Sequence, residues 1–72
     1  MTEPSEVDRQ QAALYPTEKL VGMLRLAEYQ VASLPRLRER GLIDPRIFKR
    51  DLAEAESVVE AIRLELARRG LE

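Results

Sequence analysis

Apolar residues recur along two stretches of the chain at alternating intervals of four and three. The first set is Leu20, Leu24, Ala27, Val31 and Leu34. The second is Leu52, Ala55, Val59, Ile62 and Leu66, with Phe48 one step earlier. This spacing draws one stripe along an α-helix and is the seam of a heptad repeat. Punctuation bounds the two helices. Pro16 opens the first, and Gly41-Leu42 closes it with a Schellman-type ending. Asp44-Pro45 caps and starts the second, and Gly70-Leu71 repeats the ending. The pattern predicts helices over about 16–40 and 45–69, each about 37 Å long at ~1.5 Å per residue. Pro35 predicts a kink in the first, because proline removes a hydrogen bond inside a helix.

A shorter helix over about 5–14 is predicted from Ser5, a hydroxyl cap followed by Glu6 and Asp8 in the first turn. It places Val7, Gln11 and Leu14 on one side. Residues 1–4 read as a flexible end, and residues 1–72 as a single small all-α domain.

Folding the chain back at residues 41–44 brings the seams together in one antiparallel register. Leu34 meets Leu52, Val31 meets Ala55, Ala27 meets Val59, Leu24 meets Ile62 and Leu20 meets Leu66. Every seam residue finds a partner, which predicts an αα-hairpin. Apolar residues also lie beside the seam. Met23, Leu26 and Leu37 flank it on one helix, and Ile47, Val58 and Ala61 on the other. The two-fold symmetry of an antiparallel pair carries both flanks to one face. The opposite face holds Arg25, Glu28, Glu39, Lys49, Glu56, Glu60 and Arg63, a wet surface. The dry face needs a cover. The N-terminal helix would make a three-helix monomer. A second hairpin would make a homodimeric four-helix bundle with the N-terminal helices as extras, and a different protein is a third cover. A core this small argues for the homodimer.

Composition then narrows the chemistry. The chain has 72 residues and no Cys or His, so disulfides, thiolate metal sites and histidine-based catalysis are excluded. No apolar run approaches the ~20 residues of a membrane span, and no signal-peptide core opens the chain. The expectation is a soluble, cytoplasmic protein with no membrane partner. Ser5, Ser33 and Ser57 read as caps or solvated surface, and Lys19 and Lys49 have no evident pocket. Glu60–Arg63, Glu65–Arg68 and Glu65–Arg69 are spaced as helix-surface ion pairs. Tyr15 and Tyr29 read as boundary packing. We expect no catalytic, cofactor-binding or metal-binding residue, no cofactor, and no enzyme activity.

Charge adds one feature. Residues 36–50 hold six basic and two acidic side chains in a chain of net charge −1. The positive charge therefore gathers at the closed end of the hairpin. Arg46, Lys49 and Arg50 are neighbours near a helix N-terminus, where the dipole disfavours cations. A broken local rule there points to binding. The candidate partner-binding residues are Arg36, Arg40, Arg46, Lys49 and Arg50. The candidate oligomer or partner face is Met23, Leu26, Leu37, Ile47, Val58 and Ala61. The phrase RERGLID at residues 38–44 is similar to a short run in transcription regulators of the mercury-resistance type. It covers under a tenth of the chain, and a heptad seam occupies the region where their helix-turn-helix belongs, so nothing is carried over.

The reading that follows is a small non-enzymatic protein–protein interaction module: an adaptor, regulator or assembly subunit. It is expected to be a homodimer, with a protein partner that presents an acidic surface. The alternative is a small nucleic-acid-binding regulator that sets residues 36–50 on phosphates. It is less favoured, because such proteins usually carry a basic overall balance. An accessory subunit of a larger complex is the weaker alternative.

Overall fold

A computed structural model describes residues 3–71, and part of the flexible end expected at 1–4 lies outside them. Three helices follow in order: α1 (Glu6–Leu14), α2 (Thr17–Glu39) and α3 (Pro45–Arg68). No strand occurs among the described residues. The molecule measures 40 × 20 × 19 Å, the length of one long helix pair.

Capping explains the boundaries. The Ser5 hydroxyl accepts from the Asp8 amide at 3.1 Å, and Asp44 accepts from the Arg46 amide at 2.7 Å with Pro45 in the first turn. At the end of α2, Gly41 N–H donates to Arg38 and Leu42 N–H to Leu37 (3.0 and 2.9 Å), the two bonds of a Schellman motif. Gly70 and Leu71 make the same bonds to Ala67 and Leu66. Both glycines have positive φ, 70° and 79°, which a side chain would oppose. Pro35 sits inside α2 without ending it.

α2 and α3 pack as the predicted hairpin. Leu20, Ala27 and Leu34 are buried on α2, and Phe48, Ala55, Val59, Ile62 and Leu66 on α3. Arg69 reaches Thr17 Oγ1 at 3.0 Å, in the same register as the seam pairs. On the wet face, Arg63 spans to Glu28 at 3.1 Å. Leu20 and Ile62 are the most deeply buried large side chains, and with Ala12 and Leu66 they form the centre of the core at the hairpin's open end.

α1 lies chiefly on α3. The side that holds Val7 and Leu14 is not the side that docks. Ala12 faces inward and both larger side chains face out. The reason is polar. Ser5, Asp8 and Ala12 share one side, and there Ser57 accepts the Ser5 amide at 2.7 Å and donates to Asp8 Oδ2 at 2.8 Å. A buried hydroxyl with both roles filled orients the helix, and Ala12 is small enough to let it approach.

Candidate interaction surfaces

The dry face is divided by α1. At the open end, Ala61 is only 2 % exposed, and Met23 and Val58 are half-buried against the core cluster around Ala12. Ala61 is thus removed from the candidate face, because α1 already covers it. Towards the closed end the face stays open. Leu26 is 70 % exposed and Tyr29 72 %, and Leu37 and Ile47 are exposed as well. Leu26, Tyr29, Leu37 and Val58 line a groove of about 630 Å³ between α2 and α3, and Asp51 and Glu54 form its acidic wall. Tyr29 is accordingly a surface residue and not boundary packing. No local pattern joins Asp51 and Glu54 into a wall; the packing of α2 against α3 does.

The closed end carries Arg36, Arg40, Arg46, Lys49 and Arg50, all exposed. Arg50 pairs with Asp51 at 3.3 Å. Among the described residues, no carboxylate lies within ion-pair distance of Arg36, Arg40, Arg46 or Lys49. Arg38, in the same run, is spent differently: its guanidinium lies 5.0 Å from the centre of the Phe48 ring, where cation and π-face attract. The turn thus brings the five candidates to one end of the molecule.

The third polar cluster, at the open end, binds the fold together. Glu65 is buried and receives hydrogen bonds from Arg68 and Arg69, the latter at 2.6 Å. These bonds hold its carboxyl at about 2, well below the usual value of 4.5, and the same bond raises the Arg68 guanidinium. Arg69 forks onward to Thr17 Oγ1 at 3.0 Å and to the Tyr15 carbonyl at 2.7 Å. The Glu65–Arg69 pair is therefore a half-buried tertiary clamp on the α1–α2 junction, whereas its spacing alone reads as a surface ion pair. Ser57, likewise, is a buried link and not solvated surface. No period in the sequence flags either, because their partners lie about fifty positions away.

Among the described residues, no group of three acidic side chains converges to hold a metal ion, and no helix is long and apolar enough to cross a membrane. No protein family, curated protein or solved structure matches the chain.

Proposed function

We propose that the protein is a small non-enzymatic interaction module, an adaptor, regulator or assembly subunit. It acts as a homodimer through its half-covered apolar face and engages an acidic protein surface through its closed end. The observation that carries the reading is the crowding of exposed cations at the closed end. Arg36, Arg40, Arg46 and Lys49 stand together there with no carboxylate partner among the described residues, whereas the cations without an ion pair elsewhere, Arg9, Lys19 and Arg25, lie apart from one another along the rest of the molecule. Arg46 sits in the first turn of α3, where the dipole disfavours a cation and the Asp44 carboxylate is bonded to the backbone amide of Arg46 as the cap. Such an arrangement offers donors to an incoming anion.

The same free cations support a second reading, binding to nucleic-acid phosphates. One titration separates the two. A labelled glutamate-rich peptide and a labelled DNA duplex are each titrated at low and moderate salt. Binding of the peptide, lost in the Arg46→Glu/Arg50→Glu variant with its helical circular dichroism retained, supports the first. Binding of the duplex with steep salt dependence, from counterion release, supports the second. Binding of neither removes both.

A further inference from the structure

We propose that the occupant of the open groove is a second copy of this chain, lying antiparallel, so that the α1 of each copy fills the groove of the other. This inference rests on the reading of the apolar face as a homodimer interface and specifies its geometry.

The face carries a ridge and a groove side by side. The ridge is α1, which runs along α3 from Ser57, where Ser5 is held, to Arg69, where Tyr15 is held. That is the open-end half of α3. The groove extends from the middle of the hairpin over the closed-end half, past Tyr29 to Leu37. Ser57 lies near the midpoint of α3, and Tyr29 lies opposite it on α2 in the seam register. A two-fold axis crossing the face at this level exchanges the two halves. It lays each ridge on the other copy's groove.

The chemistry of the exchanged surfaces agrees. α1 presents Val7 and Leu14 outward, 61 % and 83 % exposed, and seven residues apart they share one side. Neither contributes to the chain's own core. At ~1.5 Å per residue, Leu14 stands as far beyond the midpoint as the partner's Leu37 and Ile47 stand before it. Arg9 falls level with the partner's Asp51 and Glu54, so a cation on the ridge meets the acidic wall of the groove. Arg9 lies on the α3 flank of α1, beside Leu64 and Arg68, which directs it to that wall. Tyr29 lies close to the axis and meets its own copy. An isologous contact of this kind is self-complementary and closes at two.

The arrangement has a functional consequence. The two basic ends point in opposite directions, separated by the 40 Å length of the molecule. The dimer is then a bridge between two acidic sites, and avidity adds to the affinity of either end.

The test uses the absence of cysteine from the chain. Leu14→Cys and Leu37→Cys proteins, each checked for folding by circular dichroism, are mixed and treated with a short bis-maleimide. The expected product is the mixed dimer, because the two positions meet only between copies. Light-scattering mass across concentrations should show a dimer. Arg9→Glu should weaken it by about tenfold, and adding Glu54→Arg should restore it. A monomer at every concentration, or a dimer without the mixed cross-link, overturns the proposal. The glutamate-rich peptide is titrated on the same variants. Peptide binding kept in a protein without this dimer fails the geometry alone. A cross-linked dimer that ignores the peptide fails the closed-end reading alone.

Discussion

The Arg69 guanidinium donates to the Tyr15 carbonyl at 2.7 Å and ties the end of α3 to the junction of α1 and α2. One planar fork serves Tyr15, Thr17 and Glu65 together. Lysine, a point charge with rotating donors, cannot hold all three. Arg69→Lys should therefore resemble Arg69→Ala. We predict that either change frees α1 while leaving the α2–α3 hairpin folded. Amide hydrogen exchange should accelerate in residues 6–14 and stay slow at Ile62 and Leu66. The cost expected is about 1.5–3 kcal/mol, the range for hydrogen bonds to charged groups. Uniform acceleration along the chain would mean that α1 and the hairpin fold as one unit.

Glu65 makes the same clamp sensitive to acid. Its folded-state value of about 2 lies below the ordinary 4.5. A depressed carboxylate stabilises the fold fully above its unfolded value, and that contribution is lost as the pH falls. The loss should occur between about 4.5 and about 2. Urea midpoints measured across this window should fall for the natural chain. Glu65→Gln should start lower at neutral pH and fall less. An equal slope in both proteins would assign the acid sensitivity to other carboxylates.

Two glycines should respond to alanine with opposite signs. Gly22 lies inside α2, and a Cβ there would meet nothing within 4 Å. Gly22→Ala should stabilise by about 1 kcal/mol, the helix-propensity difference. Gly41 has equal space but φ of +70°. Gly41→Ala should destabilise by about 1–2 kcal/mol through the left-handed backbone alone. Thermal unfolding of the two variants measures both. A loss at Gly22 would reveal a contact with a partner at that site.

These contrasts show what a single sequence makes legible. The hairpin was readable because its information is periodic: Leu20 to Leu34 and Leu52 to Leu66 repeat a spacing, and glycine and proline mark its ends. The register followed because only one pairing left no seam residue over. The seating of α1 was not readable. Val7 and Leu14 are its most apolar side chains, yet Ser5, Asp8 and Ala12 determine which side docks. That choice depends on Ser57, 49 positions from Asp8, and no local pattern encodes it. The basic cluster was visible as composition. That Arg50 pairs with Asp51 while Arg36, Arg40, Arg46 and Lys49 have no carboxylate partner among the described residues is visible only in the structure.

The closed end offers a last prediction, in which stability and binding move in opposite directions. Arg46 is the second residue of α3, and Lys49 and Arg50 follow within its first two turns. Cations there oppose the helix dipole, and carboxylates would complement it by about 0.3–1 kcal/mol. Arg46→Glu should therefore raise the unfolding midpoint while weakening the glutamate-rich peptide. Arg68→Glu, at the other end of the same helix, should lower the midpoint, because there the dipole favours the cation and Glu65 would lose a partner. It should leave peptide binding unchanged. A gain in stability at Arg46 with no loss of binding would remove Arg46 from the binding site. A loss of stability would mean that Arg46 has a structural partner. The combination expected here, a more stable protein that binds less, would show that these cations are kept for an anion and not for the fold.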